Sequence, residues 1–126
     1  MVTGFGKSVL VVEDDPATRN AVALVLEHEG YSVTGVANGQ EALRHLRRTG
    51  PPDLILLDLM MPVMNGWEFR KQQAEDPALQ SIPILVISAD AHIPQKAAAL
   101  GATDYLQKPI DLEKLHTESK RLLRVL

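Results

Sequence analysis

The sequence predicts a doubly wound α/β domain, with five parallel strands in the order 2-1-3-4-5 and five helices on both faces of the sheet. Three observations carry this expectation. Short apolar runs recur in Ser8–Glu13, Leu54–Leu57 and Ile82–Ser88, unbroken rather than alternating, as suits strands covered on both faces. Segments with apolar residues at helical spacing separate the strands, so parallel strands are joined by right-handed crossovers. Strands 1, 3 and 4 are the most uniformly apolar, which puts them at the centre of the sheet. The order then reverses between strands 1 and 3. Open sheets take ligands at such a reversal, outside the carboxyl ends of the strands.

Each element has its own signal. Strand 1 ends in acid at Glu13, and Asp15-Pro16 opens a helix as N-cap and first helical residue. Ala17, Ala21, Leu24, Val25 and His28 follow helical spacing, and Gly30 stops it. Tyr31–Ala37 alternates more loosely and reads as an outer strand. Asn38-Gly39-Gln40-Glu41 resembles a capping box for a second helix ending near Gly50. After the Leu54–Leu57 strand, Asn65 with Glu68 three residues on starts a third helix, from about Gly66 to Glu75. Pro83 belongs near the start of strand 4, since proline cannot donate to a ladder. An alanine-rich helix from about Pro94 to Leu100 is stopped by Gly101. Thr103–Leu106 reads as strand 5, and Asp111 caps a last helix carrying Leu112, Leu115, Leu122 and Leu123.

Composition narrows the function classes. The 126 residues suit a single domain spanning 1–126, and 45% apolar residues suffice for a packed core. A net charge of −3 gives no basic field for nucleic acid. No cysteine is present, which excludes disulfides, thiol catalysis and thiolate metal sites and fits the cytoplasm. Met1–Lys7 is too short and mixed for a signal peptide, and no apolar run approaches the ~20 residues of a membrane helix.

The chemistry gathers at the carboxyl edge. Asp58 ends the third strand, and the next helix already has Asn65 as its cap, so Asp58 is free for another role. Glu13 and Asp14 end the neighbouring strand 1. Three converging carboxylates repel one another unless a cation joins them. An oxygen-only, open site suits Mg²⁺ better than Ca²⁺. Asp15 serves the helix start. Ser88 at the end of strand 4 and Lys108-Pro109 after strand 5 complete a set suited to a carboxylate attacking phosphorus, with cations neutralising the phosphoryl oxygens.

Four motifs, V-L-V-V-E-D-D-P, L-I-L-L-D-L-M-M-P-V-M-N-G, I-S-A and D-Y-L-Q-K-P, run from Ser8 to the last helix. In this combination and order the chain resembles the receiver domain of two-component response regulators, with its flavodoxin-like fold. The resemblance implies that Asp58 is the phosphoacceptor and Lys108 the phosphoryl-binding lysine. It implies that Asp14, Asp58 and the Met60 backbone carbonyl bind Mg²⁺ directly and Glu13 through water. Ser88 and Tyr105 would be the switch hydroxyl and switch aromatic. Met60 and Asp90, two residues after Asp58 and Ser88, would gate the water that removes the phosphoryl group. The implied partners are a sensor histidine kinase or histidine phosphotransfer protein, and a downstream protein or second copy on the face of helix 4, strand 5 and helix 5. Such a chain catalyses only its own phosphorylation and dephosphorylation; it is expected to be a stand-alone receiver or one cut from a longer protein.

Two other functions compete. A phosphatase of the haloacid-dehalogenase type also uses an aspartate nucleophile, but carries a second acid two residues later, where this chain has Met60. A flavodoxin-like electron carrier needs a hydroxyl- and glycine-rich phosphate loop after strand 1, where this chain has Glu-Asp-Asp-Pro. The four histidines show no ligand spacing. Arg44, Arg47 and Arg48 read as a solvated face of helix 2, and Trp67 as a packing or surface residue of helix 3.

Overall fold

The computed structural model describes residues 6–123, so most of the opening segment Met1–Lys7 and the last three residues lie outside the description. The elements alternate as expected: β1 (Ser8–Val12), α1 (Pro16–His28), β2 (Ser32–Val36), α2 (Gly39–Thr49), β3 (Leu54–Asp58), α3 (Gly66–Glu75), β4 (Ile84–Ser88), α4 (Ile93–Leu100), β5 (Asp104–Gln107) and α5 (Leu112–Leu123). The strands form one parallel sheet in the order β2-β1-β3-β4-β5.

Every residue of β3 and β4 is buried, the condition for unbroken apolar runs. Alternate side chains feed two separate cores. Leu10, Val12, Ile55, Leu57, Ile84 and Val86 pack under α2, α3 and α4, with Leu46, Phe69 and Ile93. Val9, Val11, Leu54, Leu56, Leu85 and Ile87 pack under α1 and α5, with Leu26 and Leu115. Among the described residues no helix is long and apolar enough to cross a membrane.

The helix ends follow their sequence signals. Asp15 caps α1 by accepting from the Thr18 N–H at 3.1 Å. Beyond α1, Gly30 takes φ +92°, its N–H bonds the Glu27 carbonyl, and the Tyr31 N–H bonds the Leu26 carbonyl. This is a Schellman stop, with Tyr31 and Leu26 buried in the same core. Asn65 and Glu68 form a full capping box on α3. At α2 the reciprocal bond slips by one residue: Glu41 accepts from the Ala37 N–H rather than from the cap residue Asn38. Asp111 accepts from the Glu113 and Lys114 N–H groups at the start of α5.

Some boundaries differ from the sequence reading. β4 begins at Ile84, two residues late, because Pro83 contributes only its carbonyl, which accepts from the Ile55 N–H at 3.0 Å. β5 runs one residue further at its end, to Gln107, whose Cα pairs with Ser88.

Close approach fixes α3 against the end of β3. A Cβ added at Gly66 would lie 2.7 Å from the Asp58 carbonyl oxygen and 2.8 Å from Leu59 Cα, both backbone atoms that cannot swing away. Gly66→Ala should therefore destabilise the protein by about 1–3 kcal/mol in urea unfolding. Gly35→Ala should cost less, since its added Cβ meets Arg19 side-chain atoms at 3.0 Å rather than backbone, and these need give by only a few tenths of an ångström while Arg19 keeps its bond to the Glu13 carbonyl. Equal costs would remove the close approach as the cause.

Candidate functional site

The switch point delivers β1 and β3 side by side, so Glu13, one residue past β1, comes up against Asp58, the last residue of β3. Both are buried, Glu13 wholly and Asp58 to 3% exposure. Buried carboxylates must be paired, and the loop after β5 supplies the partner. Lys108 Nζ donates to Glu13 Oε1 and Oε2 at 3.0 and 3.1 Å and to Asp58 Oδ2 at 3.1 Å. The loop is tied in place by the Lys108 N–H, which donates to the Ser88 carbonyl at 2.8 Å. The Lys108-Pro109 bond, not assignable from sequence, is cis.

The other Asp58 oxygen, Oδ1, accepts from the Met60 N–H at 3.1 Å. Ser88 is buried at the end of β4, and its Oγ accepts from the Asp90 N–H at 3.2 Å. Asp90 is itself paired with Lys96 of α4. Glu13, Asp14, Asp58, Met60, Ser88 and Lys108 thus border one open cleft of about 410 Å³. Tyr105 does not line it; it stands on β5, 39% exposed. The histidines stay outside as well. His28 and His92 are exposed, His45 bonds Thr49, and His116 faces Glu29 at 3.2 Å.

Two features of the segments around the site carry no sequence signal. Arg19 Nη1 reaches back from α1 to the Glu13 carbonyl at 2.8 Å, fixing the turn that aims the carboxylate. Val63, in the loop between Asp58 and α3, has φ +68°, a costly conformation for a β-branched residue.

Charge in the cleft is unbalanced. Carboxylate oxygens of Glu13, Asp14 and Asp58 lie within 4.8 Å of one another, against one ammonium. Burial, reinforced by neighbouring Asp58, raises the Glu13 pKa to about 7 despite Lys108. For Lys108, burial pulls the other way, but hydrogen bonds to Glu13 and Asp58 prevail and raise its pKa. Asp14 is exposed and accepts no hydrogen bond among the described residues, leaving its oxygens free toward the cleft. An all-oxygen donor set with a free carboxylate and an excess of negative charge fits a hard divalent cation such as Mg²⁺.

The raised Glu13 pKa has a sign that can be tested without metal. The unfolded chain releases this proton near 4.5, the folded chain near 7. Between these values the folded state holds more protons, so stability falls as pH rises through the window, by at most about 3 kcal/mol. Urea unfolding in chelator should show this fall, and Glu13→Gln should remove it. Matching profiles for parent and variant would mean that Glu13 stays ionised throughout.

Comparison with known proteins agrees with this architecture. The family model "response regulator receiver domain" matches residues 9–120. The alkaline phosphatase synthesis transcriptional regulatory protein SphR of Synechococcus elongatus is 38% identical, the match covering 92% of this chain and 48% of that protein. This chain spans about half the length of the curated relatives it matches. Chemotaxis response regulator CheY4 of Vibrio cholerae superposes with a TM-score of 0.83 at 34% identity, covering 92% of this chain and 98% of that one. The receiver domain of sensor histidine kinase PA1611 from Pseudomonas aeruginosa superposes with a TM-score of 0.84 at 30% identity, covering 94% and 98%, and carries a magnesium ion in its active site cleft. With a family match across nearly all of the described fold, the chain belongs to the response regulator receiver domains of two-component systems.

Proposed function

We propose that this chain is a phosphorylation-controlled signalling switch in the cytoplasm, in which Asp58 accepts a phosphoryl group from a histidine kinase or histidine phosphotransfer protein. The observation that carries this reading is the set of bonds on Asp58. It is buried at the edge of an open cleft, and its two oxygens are held by Lys108 Nζ and the Met60 N–H. An Asp58 oxygen attacks phosphorus as the phosphorus–nitrogen bond to the donor's imidazole breaks, and the leaving imidazole takes up a proton. Lys108, already at the site, turns from Glu13 and Asp58 toward the phosphoryl oxygens. Asp14, Asp58 and the Met60 carbonyl would hold Mg²⁺, with Glu13 behind a water. Bound there, the ion supplies neutralisation of the phosphoryl charge.

The output rests on Ser88 and Tyr105. A phosphoryl group on Asp58 adds strong acceptors beside Ser88, whose hydroxyl can turn to donate to one. Space freed next to β5 admits Tyr105, amphipathic enough to be stable exposed or buried. The affected surface is α4, β5 and α5. α4, the shortest of the five described helices, is taken as the part that moves; it is held by buried Ile93, Ala97 and Leu100, by the Lys96–Asp90 pair and by Arg70 Nε, which donates to the Leu100 carbonyl at 2.9 Å. A phosphorylation-sensitive partner, or a second copy of the chain, binds that face.

Acetyl phosphate with Mg²⁺ should add one phosphoryl group, read as intact mass, and Asp58→Asn should abolish it. Modification that persists in the variant, or that is unchanged in chelator, would overturn the assignment. Tyr105→Ala should leave phosphorylation intact while reducing the coupling between Asp58 and the α4-β5-α5 face, about 1–3 kcal/mol in the parent. Chemical shifts that change only around Asp58 on phosphorylation, and never at Tyr105 or α4, would rule this output face out.

A further inference from the structure

A second cleft, sharing no lining residue with the first, runs between α2 and α3 and measures about 580 Å³. Its floor is Leu43 and Met64, and Arg44, Arg47 and Arg48 rise along one side. Of the described arginines, Arg19, Arg70 and Arg121 each donate to a named acceptor, but these three donate to none and pair with no carboxylate.

The spacing carries a cost on the isolated helix that Glu41, three residues before Arg44, offsets only in part. Arg44–Arg47 and Arg44–Arg48 stand three and four residues apart on one helix, the separations at which like charges repel. Arg47 and Arg48 gain from the negative end of the helix dipole in the last turn, but Arg44, one turn earlier, does not. A ligand carrying several anionic groups would turn the repulsion into binding, and guanidinium forks suit carboxylates. Leu43 is only 3% exposed, so the apolar floor is mainly Met64, whose adaptable side chain suits an apolar residue of the ligand. No aromatic side chain lines the cleft for base stacking, and the net charge of −3 opposes a long polyanion.

We infer that the α2–α3 groove is a docking site for an acidic, partly apolar segment of a protein partner. It is separate from the α4-β5-α5 face and needs no phosphoryl group.

The test is fluorescence anisotropy on the unmodified chain, with a labelled peptide of alternating glutamate and leucine as probe. Binding should weaken with salt and vanish when glutamine replaces glutamate in the peptide. Arg44→Gln, Arg47→Gln and Arg48→Gln together should weaken it about tenfold, as expected for three exposed charge pairs. Met64→Gln, which changes no charge, should weaken it too, which attraction of charge alone would not do. Circular dichroism checks that each variant folds. Equal binding by parent and triple variant overturns the proposal. So does tighter binding of a single-stranded oligonucleotide of the same charge. A self-association in ultracentrifugation that the triple variant abolishes also overturns it, assigning the groove to a second copy.

Discussion

The ammonium of Lys108 is the contact on which the site depends. It bridges two buried carboxylates, Glu13 and Asp58, that would otherwise repel each other in a poorly solvated pocket. Remove the cation and Glu13 is driven further toward its protonated form, while Asp58 is left without a counterion. Leave it in place and Asp58 stays oriented, with its second oxygen fixed by the Met60 N–H. The bridge is not a tight cage. Lys108 remains partly open to solvent, and its fork-free point charge can redirect without breaking a planar geometry.

The fold exists, for this purpose, to bring three distant chain segments to one edge. Glu13 and Lys108 are 95 residues apart, Asp58 and Lys108 are 50 apart. Sheet order solves that problem, since β1 and β3 are neighbours and the loop after β5 folds back over them through the Ser88 carbonyl. Local devices then set the aim. Arg19 pins the Glu13 carbonyl, Asp15 stays occupied with capping α1, and Gly66 lets α3 start directly against the Asp58 backbone.

What could be read from the residues divides by range. Unbroken apolar runs named the three central strands because burial on both faces leaves no polar position to alternate. Asp15, Gly30 and Asn65 were readable because caps act within one turn. Topology alone then placed Asp14, Asp58, Ser88 and Lys108 on one edge. The split of Lys108 between Glu13 and Asp58 was not readable, because it depends on rotamers and on burial produced by the whole fold. Nor was Arg19, whose bond spans a turn that closes only when α1 docks. The strand ends slipped by one or two residues at Pro83 and Gln107, where a carbonyl or a single pairing decides the boundary.

The sheet separates its two cores so fully that the buried clusters on opposite faces have no residue in common. Alternation along each strand enforces this, since neighbouring side chains belong to different clusters. The molecule is therefore divisible for change. Helices α2, α3 and α4 can be repacked or recharged on their outer surface while α1 and α5 keep their own foundation, and the reverse holds. Because distant, independently packed sites add nearly without coupling, one face can acquire a new partner without forcing compensation on the other. Two places are common property and resist independent revision: the rim of loops over Asp58, and the β5 edge, flanked by α4 from one core and α5 from the other.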